Sequence, residues 1–166
     1  VFAAPLSIQN DDALYAYYRS VAEDSGIDVM IHDFPESFGT VLSPNLIARL
    51  ANEVTGIVGI KLEEPPVLVK TSTVLAAAPQ LAVLGGLGGV YFYEELQRGA
   101  VGIMTGFAYP EVLLEIWQLY TAGKHEQAAQ MFDHYCPLLR YEFQPKLGLP
   151  FRKHVYKSKG IFESDY

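Results

Sequence analysis

Five short apolar runs, Val1 to Ala4, Asp28 to Phe34, Gly56 to Glu63, Leu81 to Gly86 and Ala100 to Gly106, recur along the chain with longer amphipathic stretches between them. The runs are continuous in hydrophobicity rather than alternating, which predicts strands buried on both faces, as in a parallel sheet. The stretches between them carry helix punctuation. Asn10 to Asp24 places Leu14, Tyr17, Tyr18, Val21 and Ala22 on one face and is followed by Gly26. Ser43 can cap a helix whose first position is Pro44, with Leu46, Ile47, Leu50, Ala51 and Val54 at helical spacing before Thr55-Gly56. Pro65-Pro66 opens a third helix, Tyr91 to Gln97 is a short fourth, and Pro110 to Ala122, closed by Gly123, is a fifth.

Strands and helices therefore alternate through residue 123, whereas Glu126 to Phe143 and Phe151 to Lys157 have helical periodicity with no strand between them. Strict alternation predicts an α/β fold with a helix-covered parallel sheet. The expected organisation is the second half of a (β/α)8 barrel over residues 1–123, with a C-terminal helical extension over 124–166. The opening on Val1-Phe2-Ala3-Ala4-Pro5, without a cap or leader, reads as a chain cut before a strand.

Composition narrows the function classes. The chain has 166 residues, 50% of them hydrophobic and 19% charged, which suits a packed globular protein. A formal charge of -7 argues against nucleic acid as a partner. No apolar stretch reaches the roughly 18 residues of a membrane span. Cys136 is the single cysteine, so no internal disulfide forms, and a reducing cytoplasm is the expected location. The basic residues Arg152, Lys153, Lys157 and Lys159 read as a solvated helix face. His125, His134 and His154 share no metal-ligand spacing, so no metal is expected, nor any cofactor.

In a barrel, polar groups at the C-terminal ends of strands face the active-site mouth. His32 and Asp33, Lys61 and Glu63, Gly85 and Gly86, and Met104 and Thr105 occupy those positions. Lys61 is the strongest candidate, because it ends the apolar run Gly56-Ile57-Val58-Gly59-Ile60. Side chains alternate along a strand, so an inward Lys61 shares its side with Gly59 and Glu63. An amine among Ile and Val is desolvated, which lowers its pKa from about 10.4 and favours the nucleophilic form that condenses with a ketone. A structural bridge to Glu63 or Glu64 is the alternative. His32, with an ordinary pKa of about 6.5, is placed to relay protons. Gly85-Gly86-Leu87-Gly88-Gly89 has neither a dinucleotide nor a Walker spacing, and its glycines are read as letting the rim backbone approach a small substrate.

The series Ile31-His32-Asp33-Phe34-Pro35, then Gly39 and Leu42-Ser43-Pro44, then Gly59-Ile60-Lys61, resembles the dihydrodipicolinate synthase and N-acetylneuraminate lyase family of Schiff-base barrels. The resemblance implies that Lys61 is the Schiff-base lysine, that Val1 to Pro5 is the fourth barrel strand, and that Arg98 to Gly106 falls on the eighth. Glu63, Gly85, Gly86, Met104 and Thr105 would line the substrate pocket. His32 stands where the family has its proton-relay tyrosine. The variants His-Asp-x-Pro and Lys-Leu-Glu-Glu-Pro-Pro, with Met-Thr-Gly on the last strand, look like the branch that includes 2-keto-3-deoxyarabonate dehydratase. Dehydration of a 2-keto-3-deoxy sugar acid is thus the expected chemistry, with a synthase-type condensation as the alternative. The resemblance also implies a small-molecule 2-keto acid partner, a homo-oligomer (dimer or tetramer), and a carboxylate-gripping loop in barrel strands that this chain does not carry. The fragment alone is expected to expose a sheet edge on each side and to have little activity. A phosphate-binding barrel, and a binding protein without turnover, are the rival readings.

Overall fold

The structure, a computed structural model, describes residues 1–3 and 10–166. Four parallel strands lie side by side in chain order: β1 (Val29–Asp33), β2 (Ile57–Leu62), β3 (Ala82–Gly85) and β4 (Gly102–Ile103). Helix α1 (Asp11–Ser25) precedes β1, α2 (Pro35–Phe38) and α3 (Pro44–Glu53) join β1 to β2, α4 (Val67–Ala77) joins β2 to β3, and α5 (Phe92–Gln97) joins β3 to β4. Helices α6 (Pro110–Thr121), α7 (His125–Glu142) and α8 (Gly148–Ser158) follow. Local chemistry sets these boundaries as the sequence predicts. The Asn10 side chain accepts a hydrogen bond from the Ala13 amide at 3.1 Å, Ser43 Oγ accepts one from Leu46 at 3.1 Å, and Gly26 ends α1 at φ 64°.

The register separates two faces. Ile31, Ile60 and Val83 align across the sheet and are buried under the helices. The opposite face carries His32 beside Lys61, Lys61 beside Leu84, and Leu84 beside Gly102. Helices on one face of a parallel sheet, with polar groups at the strand ends of the other, make this part of a (β/α)8 barrel. Helix α7 packs on α6 and on the 3₁₀ turn Leu87–Gly89, and α8 packs on α7.

Three expectations change. In the first apolar run, among the described residues 1–3, only Phe2 bridges the sheet, pairing with His32, while His32 N donates to Val1 O at 2.8 Å; Ala4 and Pro5 lie outside the described residues. The run from Ala100 to Gly106 is strand only at Gly102–Ile103, because among the described residues β4 pairs with β3 alone and its outer edge has no ladder to extend it. The basic C-terminal stretch is not simply solvated. Arg152 Nη1 donates to the buried Glu142 carboxylate at 3.2 Å, whose other oxygen accepts the Ala108 amide at 2.9 Å. Lys159 donates to Glu111 at 2.9 Å, so these cations fasten α8 to the loop and helix after β4.

Candidate active site

Ile60 and Leu62 are buried against the helices, which turns Lys61 to the uncovered face of β2. Its ammonium does not stand alone among aliphatic side chains: Lys61 Nζ is 2.8 Å from Glu63 Oε2. The same oxygen lies 2.5 Å from His32 Nε2. Glu63 Oε1 accepts the Leu87 amide at 3.0 Å, and the Glu63 amide donates to Asp33 O at 2.9 Å, continuing the ladder past the end of β2. One buried carboxylate thus joins the lysine, the histidine and the loop after β3. Burial works to raise the Glu63 pKa, but hydrogen bonds from Lys61, His32 and the Leu87 amide together hold it below its ordinary value. The carboxylate is therefore the ionised acceptor between two nitrogen donors.

Aromatic rings wall the histidine. Phe2 lies 4.8 Å from the His32 ring centroid, Phe34 stacks at 6.0 Å, and Phe38 meets it edge-on at 6.1 Å. These contacts fix the ring plane and leave Nε2 aimed at Glu63.

At the end of β3 the two glycines have their own neighbours. A Cβ on Gly85 would overlap the Glu95 carboxyl, and one on Gly86 would overlap that of Glu63. The Gly-Gly dipeptide is thus held between two carboxyl groups, and the space its missing side chains leave is filled by protein. The Leu87 amide is already engaged by Glu63, so a negative group occupies the glycine-rich loop where the rival reading places a phosphate.

Behind the strand ends, on the helix side, Lys70 of α4 is 7% exposed and Asp33 1%. Lys70 Nζ donates to Asp33 Oδ2 at 2.7 Å and also pairs with Glu64. Asp33 follows His32 and Glu64 follows Glu63, so one ammonium ties together the ends of β1 and β2 beside the candidate site. Burial pushes the Asp33 pKa up to about 6, against the pull of Lys70.

Met104 and Thr105 do not join the cluster through hydrogen bonds to Lys61. The Met104 amide donates to Gly85 O at 3.0 Å and its side chain is half exposed. Thr105 lines an apolar groove of ≈ 420 Å³ with Leu113, Leu114 and Trp117, which none of Lys61, His32 and Glu63 lines. Among the described residues no three His, Cys, Asp or Glu side chains converge as a metal site requires. Sequence reasoning missed Lys70 and Glu95, although the signal was present. Lys70 falls on the core face of α4 with Val67 and Val74, and Glu95 on that of α5 with Phe92 and Leu96. A charged residue at core spacing in an apolar helix needs a buried partner or must be neutral.

The chain belongs to the dihydrodipicolinate synthetase family, whose pattern matches residues 8–161. It is 26% identical over 155 residues to an L-2-keto-3-deoxyarabonate dehydratase of Azospirillum brasilense, covering 92% of this chain and 49% of that protein. To a 4-hydroxy-tetrahydrodipicolinate synthase of Methanothrix thermoacetophila it is 30% identical over 156 residues, covering 92% and 52%. The crystal structure of a dihydrodipicolinate synthase from Rhodopseudomonas palustris superposes with a TM-score of 0.89 at 31% identity, covering 99% of this chain and 57% of that one. The chain spans about half the length of these relatives.

Proposed function

We propose that this chain supplies the imine-forming part of a 2-keto acid lyase, with dehydration of a 2-keto-3-deoxy sugar acid as its reaction. The observation that carries this reading is the shared Glu63 oxygen, 2.8 Å from Lys61 Nζ and 2.5 Å from His32 Nε2. The Lys61 amine, once it has given up a proton, attacks the keto carbon, and loss of water from the carbinolamine leaves an iminium. The iminium acidifies the neighbouring C3 protons. Removal of one gives an enamine, which expels the C4 hydroxyl as water, and hydrolysis returns the free amine. Glu63 and His32 are the groups within reach of these proton transfers: the carboxylate accepts from the amine, and the imidazole passes the proton on. No other described group provides both an amine and a relay on the same face of the sheet.

The similarity to the Azospirillum dehydratase supports elimination as the outcome. A condensation of the kind named in the synthase relatives uses the same iminium and is the second reading, supported by the identity of 30% to the Methanothrix protein. The test is borohydride reduction of the longest gene product that contains this sequence, in the presence of pyruvate or a 2-keto-3-deoxy sugar acid, followed by intact mass and peptide mapping. The expected result is one stable adduct on Lys61, absent from Lys61→Ala. A folded protein with no adduct, or normal turnover by Lys61→Ala, would end the imine reading.

A further inference from the structure

Glu95 is buried in the rim of this site, and the proposed reaction leaves it without a role. It lies on α5 and is 2% exposed, with Oε2 lacking a hydrogen-bond partner among the described residues. Its carboxyl fills the space at Gly85 on one side of the Gly85-Gly86 dipeptide, while the Glu63 carboxyl fills that at Gly86 on the other. The next residue, Leu87, donates its amide to Glu63 Oε1 at 3.0 Å. Glu95 is therefore the backing of the short peptide that holds Glu63 in contact with Lys61 and His32.

The charged groups acting on Glu95 are Glu94 on its own helix and Glu63 from the end of β2, both acidic. Among the described residues, α4, α6, α7 and β4, which also pack around α5, bring no charged group that acts on it. A buried carboxylate with an unpartnered oxygen, two acidic neighbours and no cation is strongly disfavoured relative to the neutral acid.

We infer that Glu95 is a positioning residue that works as the protonated acid, its neutral carboxyl seating Gly85-Gly86 so that the Leu87 amide and Glu63 stay aligned on Lys61 and His32. Ionisation places a second negative charge across the dipeptide from Glu63, pushes the two carboxylates apart, and withdraws Glu63 from its donors. Burial first, then Glu94 and Glu63, raise the Glu95 pKa to about 8, so this transition falls just above neutral pH. The two carboxyls on either side of Gly85-Gly86 are thus held in opposite protonation states, the ionised one facing the amine and the neutral one supporting the backbone.

The inference rests on the imine-lyase reading, and three measurements separate the two. Turnover and borohydride trapping are followed from pH 6 to 9.5 in the wild type, Glu95→Gln and Glu95→Ala. Glu95→Gln copies the neutral acid and is expected to hold turnover within about threefold of wild type at pH 7 while moving the alkaline fall upward by at least one pH unit. Glu95→Ala is expected to lose at least about tenfold in kcat with a smaller change in KM, because the rim loses its backing at every pH. An alkaline fall unchanged in Glu95→Gln, or a loss in Glu95→Gln equal to that in Glu95→Ala, would overturn the positioning role. If Glu95→Gln does not fold, infrared titration of the wild type decides: a protonated-carboxyl band still present at about pH 7.5, above the range in which Asp33 gives up its proton, and lost by about pH 9.5 supports the inference, and no such band overturns it. If the wild type forms no adduct at any pH, the imine reading fails, while the infrared titration still reports on Glu95.

Discussion

At the scale of single residues, the candidate site depends on one carboxylate serving two donors. Glu63→Gln keeps the shape but removes the charge that faces Lys61 and His32, so a fall in turnover of about tenfold or more is expected, with substrate affinity changed less. Steady-state kinetics check this, and unchanged kcat would make Glu63 a structural bridge to Lys61. His32 is predicted to matter most for the proton transfers that follow imine formation, and less for imine formation itself. His32→Phe keeps the ring in its aromatic surroundings of Phe2, Phe34 and Phe38 and removes the relay. Turnover is expected to fall by about 10²-fold or more while single-turnover trapping on Lys61 slows much less. Equal loss of both steps would assign His32 to binding.

At the scale of elements, two contacts hold strand ends in place. Lys70 of α4 pairs with Asp33 at the end of β1 and with Glu64 after β2, and its removal leaves one buried and one partly buried carboxylate without their cation. Lys70→Met is expected to lower stability by about 3 kcal/mol, read as a shifted denaturant midpoint, because breaking one side of a buried ion pair costs more than the pair itself contributes. The seam between β3 and α5 gives a second test. Gly85→Ala drives a methyl into the Glu95 carboxyl and is expected to cost about 2 kcal/mol. Combining it with Glu95→Ala should recover part of that loss, a coupling that a double-mutant cycle measures; additive losses would show that the two residues do not meet.

At the scale of the whole molecule, the buried acids set how stability varies with pH. Glu95 and Asp33 have folded-state pKa values raised to about 8 and about 6, from 4.5 and 3.8. Between each pair of values the folded state holds its proton more tightly than the unfolded chain, so stability is greatest at the acid end of the window and falls as pH rises through it. Glu63, held low, gives the opposite slope, its contribution lost as pH falls through its folded value. Thermal unfolding should accordingly show stability decreasing from about pH 5 to pH 8, with Glu95→Gln removing on the order of 3 kcal/mol of that slope. A slope unchanged in Glu95→Gln would mean that Glu95 ionises as freely folded as unfolded. The sequence by itself determined the β/α alternation, the caps at Ser43 and Gly26, and Lys61 and Glu63 as neighbours on one side of a strand, because these follow from local periodicity and turn chemistry over a few residues. It also carried the motifs that matched the family. Tertiary structure alone decided that His32 and Lys61 converge on one Glu63 oxygen, that β4 shortens to Gly102–Ile103, and that Gly85 and Gly86 accommodate carboxyls. It likewise decided that Lys70 and Glu95, charged residues on core-facing helix positions, meet the strand ends from behind. Those facts depend on strand register and on which helix covers which strand end, and both are fixed by packing between segments far apart in the chain.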